Sequence, residues 1–164
     1  MWLLVLTLGC QTNLNLTNQQ KDSISKDVKK TSQQFWLLYN QPYDSGSLTK
    51  LMSFFDGNGV QVWQNEPAVV VFNVTLVKTL ADLEKVWKEM LELRGSTNAT
   101  LLNDYFTVLS KDKVLEVNEG DYTIKGKDGQ TFGPYKMVNT IVWGNRNGEW
   151  KMLHFHESWA NYKE

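Results

Sequence analysis

The stretch Val142–Trp159, "VWGNRNGEWKMLHFHESW", decides how the rest of the chain is read. Two runs rich in apolar and aromatic residues flank "NRNG". Within it Asn147-Gly148 is a hairpin signal, because a tight two-residue turn needs positive φ at both positions and these residues tolerate it. The second run, "EWKMLHFHESW", is therefore a last strand folded back on "YKMVNTIVWG". Alternation along it places Trp150, Met152, His154, His156 and Ser158 on one face. Lys151, Leu153, Phe155 and Glu157 fall on the other. His154 and His156 are the only two histidines in the sequence.

Working toward the N-terminus, the same logic gives more strands. "VLEVNEGDYTIKG" is joined to "YKMVNTIVWG" through a turn with Asp128-Gly129, and "ATLLNDYFTVLS" precedes it across "KDK". Before these, Leu80, Leu83, Trp87, Met90 and Leu91 recur at helical spacing, opened by Thr79 with Asp82 three residues on and closed by Gly95. "AVVVFNVTLV" (68–77) and "VQVW" (60–63) read as two strands. Asp56–Gly59, "DGNG", is a turn. Two helices come first: one capped by Ser23, with Ile24, Val28, Phe35 and Leu38 along one side, and a short one from Ser47 with Leu48, Leu51, Met52 and Phe55. The order is helix, helix, two strands, helix, four antiparallel strands. Helices segregated from a meander predict an α+β domain with helices on one face of the sheet.

This order resembles the nuclear transport factor 2-like superfamily, also called SnoaL-like, over about residues 22–160. Val142-Trp143, Gly148, Trp150, His154, Phe155, His156 and Ser158 resemble more narrowly the last hairpin of the association domain of calcium/calmodulin-dependent protein kinase II and its bacterial relatives. The resemblance implies a cystatin-like cone: a curved antiparallel sheet around a long N-terminal helix, with two further helices. It also implies an apolar pocket inside the cone and a homodimer formed through the sheet's outer face. It does not imply one function, since the superfamily holds isomerases, dehydratases, cyclases, transport adaptors and oligomerisation hubs.

The chemistry is concentrated on the two histidines, roughly 7 Å apart by strand rise. A metal site needs a third ligand, and the chain offers no third histidine; its one cysteine is Cys10. A third ligand would have to be Asp or Glu, such as Glu116, Glu119 or Asp121; a zinc site is only weakly signalled, and a structural or pocket-lining pair is favoured over metal. As an acid or base, histidine would need a partner such as Asn103, Asp104, Tyr105, Tyr122 or Asn139, and none forms a spacing motif. The expected ligand-binding residues are His154, His156, Tyr105, Trp63, Trp87 and Asn139 on an apolar wall, and the catalytic candidates are His154, His156 and Tyr105. No cofactor is expected.

Composition narrows the partners. A net charge of -1, with arginine only at Arg94 and Arg146, argues against nucleic acid. Seven Trp, seven Phe and six Tyr supply large rings for a core. Residues 1–21 read as a signal or lipobox-like segment and a polar tether, residues 22–164 as the domain. "MWLLVLTLGC" is apolar up to Gly9-Cys10, so Cys10 is a candidate for lipidation. The basic stretch that opens a signal is missing, so the true start is expected upstream. Asn15, Asn73 and Asn98 begin glycosylation sequons, short enough to occur by chance. The expectation is a secreted or lipid-anchored module, outside the cytoplasm, that binds a small apolar or amphipathic molecule or serves assembly, with membrane contact only through a lipid. The alternative is a cofactor-independent lyase or isomerase using the histidines.

Overall fold

A computed structural model describes residues 15–42, 44–57, 69–72, 75–77 and 79–161. Three helices and six strands follow in order: α1 (Asn18–Tyr39), α2 (Ser45–Met52), β1 (Val69–Phe72), β2 (Thr75–Val77), α3 (Leu80–Leu93), β3 (Arg94–Ser110), β4 (Lys113–Gly126), β5 (Thr131–Arg146) and β6 (Glu149–Asn161). One sheet holds all six strands in the order β2-β1-β6-β5-β4-β3, antiparallel except where β1 runs parallel to β6. The molecule is an α+β cone of the cystatin-like type, with the curved sheet around α1.

The helix starts are set by side-chain caps. The α1 helix begins at Asn18, upstream of the Ser23 expected as its cap, because Thr17 and Gln20 form a capping box. Thr79 caps α3 as its sequence indicates, accepting from the Asp82 N–H. No loop follows α3. Arg94, the expected last turn, is already extended and begins β3, so Gly95 lies within a strand. Residues 68–77 are not one strand: β1 and β2 fold back on each other as a hairpin, pairing Phe72 with Thr75. Trp63, the strand expected at 60–63 and Cys10 lie outside the described residues.

Phe35 of α1 is the centre of the core. Its ring lies 5.2 Å from Trp36, 5.9 Å from Tyr39, 6.2 Å from Trp87 and 6.2 Å from Phe155, measured between centroids. Burying such rings is the largest favourable contribution available to a domain of this size. The Asn40 side chain closes α1 onto β3, donating to the Ala99 carbonyl and accepting from its N–H. At the other end, the chain after α2 is fastened to β6 by backbone bonds between Asp56 and Met152 and between Met152 and Phe54.

One irregularity in β6 controls the site. Val142 pairs with His154 and Trp143 with Met152, so Leu153 faces no residue of β5 and forms a β-bulge. The extra residue reverses the alternation. Met152 before the bulge and Phe155 and Glu157 after it are all buried on the inner face. His154, His156 and Ser158 therefore point away from the cone, on the opposite face from Met152, contrary to unbroken alternation.

Candidate functional site

The inner face of the sheet carries a line of polar side chains that run through the core. On β4, Glu116, Asn118 and Tyr122 are buried, and on β5 and β6 so are Asn139 and Glu157. Strand alternation puts them there, since they sit two residues apart between outward-facing Leu115, Val117 and Glu119. Glu116 accepts from Ser32 Oγ at 2.8 Å, from Asn118 Nδ2 at 2.6 Å and from Trp143 Nε1 at 2.7 Å. Burial still holds its carboxyl above the ordinary range, against the opposing pull of these bonds. Asn139 Nδ2 donates to Asn118 Oδ1 at 2.8 Å. The other end of that side chain differs: Asn139 Oδ1 is buried and accepts no hydrogen bond among the described residues.

Asn139 stands directly across from Glu157 in the β5–β6 pairing. Burial pushes the Glu157 carboxyl up to about 7, against the lowering effects of the Arg94 charge and of a bond from the Trp159 side chain. Arg94 is itself buried. It donates to Tyr39 OH at 3.1 Å and lies over the rings of Tyr39 (5.9 Å) and Tyr122 (5.7 Å). The hydroxyls of Tyr39 and Tyr122 are 3.0 Å apart. Desolvation raises both phenols above their ordinary value, so both are neutral donors and acceptors at pH 7. Trp159 covers the group: its ring lies 4.6 Å from Tyr122 and stacks on Tyr135 at 6.0 Å, and the residue is 37% exposed.

The residues expected at the site are divided by this arrangement. Asn139 lies on the inner face, in the polar line. Trp87 of α3 is buried in the ring cluster, T-shaped to Phe55 at 5.5 Å, and its Nε1 has no hydrogen-bond partner among the described residues. Tyr105 does not join them. It is 60% exposed on β3, on the face opposite Asp104, whose carboxylate pairs with Lys29 of α1 at 3.0 Å. His154 and His156 are also outside, for the reason given by the Leu153 bulge. Burial, and then His156, lower the His154 pKa. Ser158 Oγ lies 3.1 Å from His156 Nε2. The carboxylates considered as a third metal ligand lie apart from the histidines: Glu116 is inside, Glu119 accepts from Asn103 and Asp121 pairs with Lys136. Among the described residues no cluster of three metal-ligating side chains is found.

Sequence reasoning missed Arg94, Glu157 and Tyr39 as site residues. A signal for Glu157 was present: a carboxylate on the same side as Phe155 in an apolar strand. Arg94 looked like a helix-ending charge, and Tyr39 like core. A cavity of about 430 Å³ lies elsewhere, between α1, the end of α2 and the β5–β6 turn. Its walls include Asp27, Lys30, Glu149 and Lys151, so it is a polar surface groove, not an apolar cone pocket.

No family model matches the chain, and no curated protein matches it in sequence. Solved structures do match its fold. A putative dehydratase of the nuclear transport factor 2-like family from Streptomyces avermitilis is 15% identical, with 84% of this chain and 97% of that chain covered, at a TM-score of 0.71. A putative calcium/calmodulin-dependent protein kinase II association domain from Xanthomonas campestris is 14% identical, covering 84% and 89%, at 0.66. A putative scytalone dehydratase from Novosphingobium aromaticivorans is 8% identical, covering 90% and 93%, at 0.68. The chain has the nuclear transport factor 2-like fold of these structures.

Proposed function

We propose that the protein is a secreted or lipid-anchored small-molecule-binding module, dimeric through the outer face of its sheet. Its ligand is a small, largely apolar molecule with a polar group, held at the inner face where β5 and β6 meet. The observation that carries this reading is Asn139 Oδ1: a fully buried acceptor without a partner among the described residues, between the core residues Met137 and Ile141 and opposite a carboxyl whose pKa burial pushes up to about 7. A ligand donor would satisfy Asn139, an acceptor would satisfy Trp87 Nε1, and rings would supply contact area. Trp159, partly exposed over the buried group, marks the way in.

A fragment screen followed by ¹H–¹⁵N spectra of the indole groups tests the reading. Binders are expected to shift Trp87, Trp143 or Trp159, and Asn139→Leu, in a folded protein, is expected to weaken them at least about tenfold. A screen whose hits move only surface resonances would remove the cone from consideration.

A second reading, a cofactor-independent lyase or isomerase, is favoured by Glu157 rather than by the histidines. A carboxylate poised at about 7 suits a general base at neutral pH, and Tyr39 and Tyr122 can donate to a developing oxyanion. Turnover would then rise as Glu157 deprotonates and vanish in Glu157→Gln. Secretion or lipidation through Cys10 is tested separately, by labelling expressed full chain with a fatty-acid analogue and repeating with Cys10→Ser.

A further inference from the structure

The histidines turned outward by the Leu153 bulge need their own account. His154 and His156 lie two residues apart on one face of β6, third of six strands and so at the middle of the sheet. Immediately around them the outer face carries uncharged side chains, with Lys113 at one end and Glu119, Asp121 and Lys136 at the other. Val142 and Thr140 flank them on β5, and Leu115 and Val117 stand beyond on β4. Val138 is 47% exposed and Tyr105 60% exposed on the same face. A half-apolar outer face on an antiparallel sheet is suited to cover by another sheet.

We infer that two copies of the chain, packed outer face to outer face, bring four imidazoles together as a site for one divalent transition-metal ion, with Zn²⁺ the best fit. The inference rests on the dimer proposed above, because a single chain cannot complete the site: it supplies two nitrogens and, among the described residues, no third ligand near them. Geometry allows the second pair. Packed sheets lie about 10 Å apart, so imidazoles rising from both middles meet between them. Nitrogens about 2 Å from a shared ion in a tetrahedron are what Zn²⁺ takes.

The ligands are prepared for it. The Ser158 hydroxyl can accept the Nε2–H of His156, which fixes that ring and leaves the Nδ1 lone pair available. A central metal would also pin the register of the two sheets.

Tag-free full chain titrated with zinc chloride, by calorimetry and by sedimentation in zinc against EDTA, tests the inference. The expected result is one Zn²⁺ per two chains and a monomer–dimer constant at least about tenfold tighter in zinc. Both effects disappear in the His154→Ala/His156→Ala double variant. Should that variant misfold, protection of both wild-type histidines by Zn²⁺ from diethyl pyrocarbonate provides the same readout. A dimer in EDTA that takes up no Zn²⁺ overturns the metal site and leaves the dimer standing. One ion per chain with unchanged dimerisation, or equal uptake by the folded double variant, also overturns it. A monomer in both buffers removes site and dimer together.

Discussion

Glu157 of β6 stands opposite Asn139 of β5, and both side chains are buried on the inner face. The Glu157 carboxyl is raised from 4.5 to about 7, chiefly by desolvation. The native state thus holds a proton that the unfolded chain releases, and stability from this group is fully present below pH 4.5 and lost as pH rises through about 7. A shift of this size corresponds to roughly 3 kcal/mol. Glu157→Gln has no such loss. Urea unfolding at pH 4.5 and pH 8 is expected to show the variant gaining about 3 kcal/mol on wild type across the interval. A constant difference would mean that Glu157 is ionised throughout.

Glu116 is buried with three donors converging on two oxygens. Glu116→Gln replaces one acceptor by an NH₂ group, which must then face another donor. The expected cost is about 2 kcal/mol at pH 7, because a buried donor is left unpaired. Ser32→Ala removes one of the three bonds but leaves both oxygens with a donor, so about 1 kcal/mol is expected. Chemical denaturation of the two variants checks the order; Ser32→Ala as the costlier change would contradict this account of the network.

The bulge has a packing partner in Gly144. A Cβ there would lie 2.6 Å from Leu153 Cδ1, too close without movement of the Leu153 side chain. Gly144→Ala is expected to destabilise by about 1–3 kcal/mol through overpacking, and Gly144→Ala/Leu153→Ala to recover part of that cost. Deleting Leu153 is a stronger test. It would make Met152 and His154 neighbours while Trp143 and Val142 remain their partners, closing the bulge with every side chain kept on its face, and a cooperative unfolding transition is expected to persist.

That bulge also marks the limit of what the sequence allowed. Turn chemistry located the meander, because Asn147-Gly148 and Asp128-Gly129 have a local reason to turn; Asn147 does adopt φ 54° and Gly148 φ 91°. Helical spacing located α3, since Thr79, Leu83, Trp87 and Leu91 carry cap and core in one pattern. Neither signal sees an extra residue inside a strand. Nothing local to "KMLHF" distinguishes Leu153 as unpaired; its register depends on β5 and on the clamp between Met152 and Phe54. One residue of slip moved the two most chemically conspicuous side chains from the inside of the cone to the outside. Asn139 was legible because no irregularity separates it from Met137 and Ile141, both core residues. Arg94 was not, because its burial depends on Tyr39 and Tyr122, which lie 55 residues before it and beyond the next turn after it.

The proposed dimer makes the outer face the place where a single charge should matter most. Val138 is about half exposed there, pairs with Ser158 and lies two residues from Thr140, the neighbour of His156. On an exposed monomer face, Val138→Asp would lower stability by no more than about 1 kcal/mol, the span of strand propensities. Within a dimer, two copies of the carboxylate would be brought together opposite Glu119, at a cost of several kcal/mol, and Lys136, two residues away, is already paired with Asp121. Sedimentation velocity at micromolar concentration is therefore expected to show a dimer for the wild type and a monomer for Val138→Asp, with circular dichroism unchanged. Leu37→Asp on α1, exposed and on the far side of the molecule, serves as the control and should leave the dimer intact. A dimer surviving Val138→Asp would mean that the chains meet through another surface, and the shared histidine site would lose its geometric basis.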